Sequence, residues 1–371
     1  MWFDAAQKRV REKIARLRGM NVPDLMLADP RLKRLPRELY EFEELRCLTV
    51  KGCPIRRLEP GFGRLTRLRR LNLEEIDLEA LPSEMGDLTE LRWFSICSSA
   101  LRRLPSELGR LCNLETLVIC HSYLEALPEE LADLENLRSL EIWLNFGRGD
   151  LALPPRIGNL RRLKTLRVNS AGVESLPASI GDLSGLVDLS LSVNQLRELP
   201  PEIGRLQSLE RLDVHANNLA SLPVSIGGLS NLRLAGFADN RIAALPPAVG
   251  RLEMVKELDL SRNRLAALPP EIGSLKNLKK LNLGDNRLTE LPPEIVNLTS
   301  LESINLTNNQ LFGLPPGMTK LRNLKSFDVG GNPLSTASAE SIDFIAKHQI
   351  MSEEPLPEML MAKIEDRLME E

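Results

Sequence analysis

The sequence predicts an α/β fold, a right-handed solenoid in which one short unit is copied along the chain. Leucine supplies 73 of the 371 residues, and only 14 residues are aromatic (9 Phe, 3 Trp and 2 Tyr). A core built from so few residue types is typical of a repeated unit. The leucines also recur with a period of 23 residues, and within each period they alternate with polar residues as in a half-buried strand. We therefore expect one continuous array rather than the two or three separate domains that the length alone suggests.

The unit that reads LKKLNLGDNRLTELP shows how the spacing specifies structure. Leu281 and Leu283 alternate with polar Lys280, which predicts a short strand with one buried face. Neighbouring units must supply the pairing partners of such a strand, so identical strands form a parallel sheet. Asn286 follows the strand, where its amide is predicted to bond backbone groups of the adjacent turn. The run Pro-Glu-Ile-Gly-x-Leu then returns the chain through one helical or 3₁₀-like turn.

Fourteen such units are predicted, the first of them irregular. They begin at Val22, Leu45, Leu68, Leu91, Leu114, Leu137, Leu163, Leu186, Leu209, Leu232, Val255, Leu278, Leu301 and Leu324. The step from Leu137 to Leu163 is 26 residues, and the extra residues predict a loop over 145–150.

The expected domain organisation is a helical cap over residues 1–21, the solenoid over 22–336 and a second helical cap over 337–371. Helices are predicted over 2–18, 339–349 and 357–369 from apolar residues at helical spacing. Caps of this kind cover the open edges of a stack of repeats. The last helix either covers the sheet edge or binds a partner.

The pattern L-x-x-L-x-L-x-x-N-x-L-x-x-L-P-x-x-I-G-x-L resembles the leucine-rich repeat superfamily from Val22 to Leu334. The 23-residue, Leu-Pro subclass of that superfamily resembles intracellular Ras-associated repeat proteins and the repeat arrays of bacterial Roco-type proteins. The resemblance implies a horseshoe with a concave binding sheet, and a small GTPase or another signalling protein as partner. The phosphate-loop pattern G-x-x-x-x-G-K-[ST] does not occur in the sequence, so we expect no Roco-like GTPase domain in this chain.

The overall composition excludes several classes of function. A net charge of −3 argues against a general nucleic-acid binder, and no apolar run reaches the 18 residues of a membrane span. Five cysteines without paired spacing and a start without signal-peptide character favour the cytoplasm. We expect a monomer without cofactor or metal.

Charge is unevenly distributed between the two ends. Residues 1–70 hold 18 Lys and Arg against 9 Asp and Glu, whereas residues 338–371 hold 9 acidic against 3 basic residues. Both ends are either solvated caps, or the basic end meets an acidic partner or a membrane surface.

The third, fifth, seventh and eighth residues of each unit are expected on the concave surface. Rare residues collect there on three adjacent strands, and we call them the aromatic patch. It is centred on Trp93, Cys120, His121 and Trp143, with Phe146 and Arg148 at its edge. Trp is enriched at interface hot spots, so the patch predicts a protein-binding surface. The alternative is that the irregular half of the array merely tolerates unusual residues.

Later units carry a polar strip, mixed in sign and rich in acids, that suits a polar or basic partner or is simply solvated. Its residues are Arg167, Asn169, Arg211, Asp213, His215, Asp239, Glu257, Asp259, Arg262, Lys280, Asn282, Asp285, Asn305 and Asp328. The pair of His215 and Asp213 is expected to be a surface hydrogen bond rather than a site. Taken over both surfaces, the candidate partner-binding residues are Trp93, Cys97, Val118, Cys120, His121, Glu141, Trp143, Phe146, Arg148, Arg167, Arg211, Asp213 and His215.

Catalysis is not predicted. Cys97, Cys120 and His121 lie on neighbouring strands, where a Cys–His pair could act as nucleophile and base or hold a metal. No third ligand or oxyanion device accompanies them, and His121 is out of phase with Cys120. A disulfide between Cys97 and Cys120 is possible on distance, but we expect poor geometry on adjacent parallel strands and reduction in the cytoplasm.

The function predicted is therefore a non-catalytic scaffold that binds a folded protein on its concave face. The alternatives are a targeting or regulatory subunit of an enzyme complex, and a bacterial effector that acts on host proteins. Asparagine occupies the ninth position of every unit from Asn194 onward but is mostly replaced before it, so the N-terminal half is predicted to be less regular and less stable.

Overall fold

The computed structural model describes residues 2–17, 22–97, 100–145, 151–348, 356–358, 360–362 and 364. The chain divides into two compact units, Met1–Asn194 and Gln195–Glu371. Each is a stack of repeats with one short parallel strand per repeat, so the predicted solenoid of parallel strands and 3₁₀ turns is confirmed. Among the described residues, no helix is both long enough and apolar enough to span a membrane.

In the first unit, strands pair in sequence order and in parallel from β1 to β8. The strands are β1 Asp24–Leu27, β2 Cys47–Lys51, β3 Arg70–Glu74, β4 Trp93–Cys97, β5 Thr116–Ser122, β6 Ser139–Asn145, β7 Thr165–Asn169 and β8 Asp188–Ser190.

In the second unit, strands pair in the same way from β9 to β14. They are β9 Arg211–Asp213, β10 Leu234–Gly236, β11 Glu257–Asp259, β12 Lys280–Asn282, β13 Ser303–Asn305 and β14 Ser326–Asp328.

The register between strands equals the sequence period, so equivalent residues form columns. Leu281 pairs with Leu258 on one side and Ile304 on the other, and all three side chains are buried. Each buried leucine contributes roughly 2 kcal/mol. A single repeat has nothing to bury its leucines against, which is why the array is stable only as a stack.

The return paths are 3₁₀ turns, which follow a Leu-Pro step except at Pro60–Arg64, where Glu59 replaces the proline. The described turns are Arg37–Glu41, Pro60–Arg64, Ser83–Asp87, Ser106–Arg110, Glu129–Asp133, Ile157–Asn159, Ala178–Asp182, Pro201–Arg205, Val224–Gly228, Pro247–Arg251, Pro270–Ser274, Pro293–Asn297 and Met318–Lys320. Pro292 is extended and its carbonyl accepts from the Ile295 amide at 3.0 Å. Gly273 is required because a Cβ there would collide with the Glu294 carbonyl oxygen of the next turn.

The predicted role of the ninth-position asparagine is confirmed from Asn194 to Asn332. Asn286 Nδ2 donates to the carbonyls of Leu260 (2.9 Å) and Leu283 (3.0 Å), and its Oδ1 accepts from the Leu265 amide (3.0 Å). The residues that make this amide ladder are Asn194, Asn217, Asn240, Asn263, Asn286, Asn309 and Asn332, all buried. In the first unit Cys53 occupies this position, where its thiol forms weaker hydrogen bonds than an amide does. Its Sγ lies 3.3 Å from the Lys51 carbonyl oxygen.

Two α-helices lie at the ends of the described chain. Helix α1, Trp2–Leu17, buries Val10 and Ile14, and Lys13 Nζ donates to the Met26 carbonyl of edge strand β1 at 3.2 Å. Helix α2, Ala339–His348, packs Phe344 edge-to-face on Phe327 of β14 at 5.2 Å between centroids.

Both helix positions match the predictions to within one residue. Leu360 and Ile364, in the described part of the third predicted helix, are both buried. For these two side chains this favours a helix that covers the sheet edge over one that binds a partner.

Candidate functional site

Three residues of each repeat, the third, fifth and seventh, form the solvent-facing side of the sheet, which we call the open face. The eighth residue departs from this alternation, because it adopts a left-handed backbone conformation in repeat after repeat. His121 (φ 52°) and Leu144 (φ 51°) are examples, and the strand register passes from Cys120↔Trp143 to Ser122↔Asn145. The eighth residue therefore interrupts the strand alternation: His121 lies within β5, is exposed, and is skipped by the register. Its place on the binding surface stays a prediction.

Cys97 and Cys120 are joined by a disulfide, with Cα atoms 4.5 Å apart. The expectation of poor geometry is thus wrong, because both residues occupy the seventh position in direct register and both side chains point to the open face. Cys97 is half-buried and Cys120 is buried. The bond links two neighbouring repeats on the surface predicted to bind a partner.

Trp143 lies in register with Cys120, next to the disulfide, and 40% of its surface is exposed. Trp93 is 39% exposed but occupies the third position, at the opposite end of the strands. Two strand spacings and four residues separate them, a diagonal of about 16 Å. The Arg70 guanidinium stacks 5.9 Å from the Trp93 ring centroid. The two tryptophans therefore mark two ends of a surface rather than one cluster.

The fifth position of the strands becomes polar from β5 towards β7. Val118, Glu141 and Arg167 are aligned in the fifth position of three successive strands. Arg167 contacts Asp188 at 2.6 Å and Glu141 at 3.8 Å. The hydrogen bond with Asp188 is the main reason that the pKa of Arg167 is raised. This network fixes the guanidinium, so that Arg167 presents an oriented rather than a mobile charge.

Phe146 and Arg148, predicted at the edge of the patch, lie outside the described residues. Within the described part of the chain, no group of three or more His, Cys, Asp or Glu residues is placed to hold a metal ion.

In the second unit, the predicted pair of His215 and Asp213 is confirmed as a hydrogen bond of 2.8 Å between Nδ1 and Oδ1. Arg211 approaches the same carboxylate at 3.7 Å. These three residues lie beside a groove of about 630 Å³ on the open face.

The floor of that groove was missed from sequence. Strand β10 presents Leu234 and Gly236, followed by Ala238, whereas the strands on either side present charged side chains in register with Leu234 and Gly236. The sequence did contain a signal for this floor, because the apolar or small residues of β10 interrupt the polar strip. The strip was defined only from its charged and polar residues, so this interruption was overlooked.

The repeated strands and the side chains on their open face define the class of repeat protein to which the chain belongs. A profile described as leucine rich repeat matches residues 253–311. A solved leucine-rich repeat protein of Leptospira interrogans is 32% identical, with a TM-score of 0.76, covering 86% of this chain and 81% of that one. The chain therefore belongs to the leucine-rich repeat family.

More distant solved structures share the fold. The ectodomain of the Arabidopsis thaliana receptor kinase GASSHO1/SCHENGEN3, in complex with Casparian strip integrity factor 2, is 28% identical with a TM-score of 0.60. The match covers 83% of this chain and 40% of that ectodomain. An internalin of Listeria monocytogenes is 23% identical, with a TM-score of 0.68 and coverage of 86% and 90%. No curated protein sequence matches the chain.

Proposed function

We propose that the protein is a non-catalytic scaffold that binds a folded protein partner on the open face of its sheet. The observation that carries the proposal is the exposure of Trp93 and Trp143 on that face. Exposing the apolar surface of a tryptophan to water is unfavourable, so a partner that covers it gains free energy of binding. The Arabidopsis ectodomain, which was solved with a ligand, supports the use of such a fold for protein recognition.

The distance between the two tryptophans indicates how large the partner surface must be. A partner that contacts both tryptophans must cover about 16 Å of sheet, and between them it meets Val118 and the disulfide. The oriented Arg167 lies one strand beyond Trp143, on β7. A folded domain or a long loop covers this span, whereas a single inserted side chain does not. We include His121 at the rim of this surface, and Phe146 and Arg148 remain predicted contacts.

The test is affinity capture with the wild-type chain and the Trp93→Ala/Trp143→Ala variant, compared by mass spectrometry. Each substitution should weaken binding of a captured partner by more than about 1 kcal/mol. Phe312→Ala is the matched control, because Phe312 is 49% exposed but lies outside the strands of the sheet. Unchanged affinity in the double variant, with normal folding, contradicts the proposal.

For the partner class we propose a small GTPase, on the resemblance to intracellular Ras-associated repeat proteins. Pull-down with GTPases loaded with GDP or with a GTP analogue tests this class, and failure in every nucleotide state contradicts it. In that case the targeting subunit and the bacterial effector become the leading proposals. A secretion assay separates these two, because only the effector leaves the cell that makes it.

The cytoplasmic, monomeric scaffold is the form of the proposal that this resemblance favours. In a reducing compartment the Cys97–Cys120 bond is open to reduction. Light scattering on the purified chain tests the monomer.

A further inference from the structure

We propose that the groove over β10 receives one arginine side chain of the protein partner. This inference rests on the proposed scaffold function and specifies the chemistry of one contact in the second unit. It starts from the three residues that β10 places on the open face. Leu234 is 37% exposed, and Gly236 and Ala238 leave space where neighbouring repeats have longer side chains. The result is an apolar floor about three residues long within a polar surface.

Carboxylates border this floor on both sides. Asp213 of β9 and Asp259 of β11 are the direct register partners of Gly236. With strands about 4.8 Å apart, a positive charge above Gly236 lies within roughly 5 Å of both strands. A Cβ on Gly236 would lie 2.9 Å from Asp213 Oδ1, so that carboxylate already leans over the gap.

Both carboxylates keep one oxygen available. Asp259 Oδ1 accepts from the Ser261 amide (3.0 Å) and hydroxyl (2.7 Å), and Asp213 Oδ1 accepts from His215. Among the described residues, neither Oδ2 atom accepts a hydrogen bond, and Arg211 approaches Asp213 Oδ2 only to 3.7 Å.

The remaining charges at the groove leave a deficit of positive charge. Glu257 and Lys280 neutralise each other at 2.8 Å. Arg211 is then the one Lys or Arg of the described lining left to set against Asp213 and Asp259. The groove is therefore complementary to one additional positive charge.

Arginine fits this combination better than a compact cation. Its three methylene groups can lie on Leu234, Gly236 and Ala238 while the charged end remains at the surface. Its planar guanidinium has five donors, enough to engage Asp213 Oδ2 and Asp259 Oδ2 together.

The experiment is a titration of the isotope-labelled full chain with the peptide acetyl-Gly-Arg-Gly-amide, followed by amide NMR. The same peptide with citrulline in place of arginine is the neutral control of equal shape. We expect saturable shifts at Gly236 and Ala238 with the arginine peptide, and binding at least fivefold weaker with citrulline. Equal binding of the two peptides, or no shift at these residues, overturns the proposal.

Two variants locate the contact. Gly236→Asn places in β10 the residue that Asn282 and Asn305 supply at the same position in later repeats, so it should fold while filling the groove. Asp259→Asn keeps the acceptor for Ser261 and removes the charge. Each should weaken binding of the arginine peptide at least fivefold. Asp328→Asn, the same change on β14 outside the groove, should leave binding unchanged.

The experiments can show failure of the arginine contact separately from failure of the proposed scaffold function. If Trp93→Ala/Trp143→Ala abolishes capture of the partner but Asp259→Asn does not weaken it, the arginine contact is wrong and the scaffold stands. If the peptide binds as expected while the tryptophan variant captures normally, the groove stands and the aromatic patch is wrong.

Discussion

The two units solve the same problem, joining one repeat to the next, with different chemistry. In the first unit, strands β2 to β7 are five to seven residues long, and a disulfide adds a covalent link. In the second unit every strand has three residues, and the buried amide ladder runs through every repeat. The first unit relies on longer strand pairing where the second relies on asparagine.

A side chain at the fifth position accompanies the short strands in five of the six repeats of the second unit. There an Asp or Asn accepts the amide of the seventh residue, as Asn305 does from Thr307 at 2.9 Å and Asp259 from Ser261 at 3.0 Å. Strand β10 is equally short but has Gly236 at that position. This local bond competes with the strand ladder for the same N–H. In the first unit, β5 and β6 have Val118 and Glu141 at that position and continue for seven residues. Asn72 of five-residue β3 instead donates its amide across the sheet to Thr49 Oγ1 at 3.3 Å.

The largest effect should come from breaking the amide ladder. Asn263→Ala removes bonds to the carbonyls of Phe237 (2.9 Å) and Leu260 (3.1 Å) and to the Ile242 amide (3.0 Å). Because these backbone groups are buried, we expect the free energy of unfolding to fall by about 4 kcal/mol in urea titrations. Cys53→Ala, at the same position in the first unit, should lose only about 1 kcal/mol because its sulfur bonds are weak.

An exposed asparagine controls for loss of the side chain itself. Asn231 donates one bond, to the Gln207 carbonyl at 2.7 Å, and Asn231→Ala should change stability by less than about 1 kcal/mol. Equal losses for the Asn263 and Cys53 variants would remove the distinction between the two units.

Removing the covalent link should have the next largest effect, and only in the first unit. Cys97→Ser/Cys120→Ser opens a loop closed across 23 residues, and we expect a loss of about 3 kcal/mol in the free energy of unfolding. A thiol reductant added to the wild-type protein should lower the urea midpoint in the same direction. Cys112→Ser is the control, since Cys112 is an exposed free thiol. A midpoint unaffected by reductant would contradict a structural role for the bond.

Hydrogen exchange compares the units directly. The missing amide ladder predicts that amides of β2–β4 exchange roughly tenfold faster than those of β11–β13, equivalent to about 1.4 kcal/mol. The longer strands and the disulfide act in the opposite direction. Equal or greater protection in the first unit would show that they compensate fully for the absent asparagines.

The smallest effect concerns surface charge. Glu302 lies between Lys279 and Lys325, each at 2.8 Å, and their hydrogen bonds lower its pKa to about 2. Because the folded pKa is below the ordinary value of 4.5, this stabilisation is present above pH 4.5 and is lost as the pH falls towards 2. NMR titration should place the Glu302 midpoint near 2, and Lys279→Gln/Lys325→Gln should raise it towards 4.5.

In the first unit, hydrogen bonds from Arg102 and Arg103 also lower the pKa of Glu125, so Arg102→Gln/Arg103→Gln should raise it. A Glu302 midpoint that the lysine substitutions do not move would contradict the assignment. Since all these groups are at least partly exposed, added salt should reduce both pKa shifts.

The sequence predicted the repeated features well, because they depend on local periodicity. Leu281 and Leu283 identified a strand and its buried face, Asn286 the turn that follows, and Val10 and Ile14 the first helix. The candidate surface was predicted as a set of residues but not as an arrangement. Trp93 and Trp143 were placed together because they are two strands apart, yet they occupy opposite ends of those strands. Gly236 escaped attention because a missing side chain has meaning only beside Asp213 and Asp259.

What the sequence determined alone was the fold, since a 23-residue period forces every repeat into the same register and the same buried columns. It also determined which residues face solvent, because strand alternation is a property of the backbone. The tertiary structure decided how those residues meet across strands. The pairing of Cys97 with Cys120, the left-handed backbone at His121 and the gap over Gly236 depend on the neighbouring repeats. Their distances and backbone angles are set only when the repeats stack.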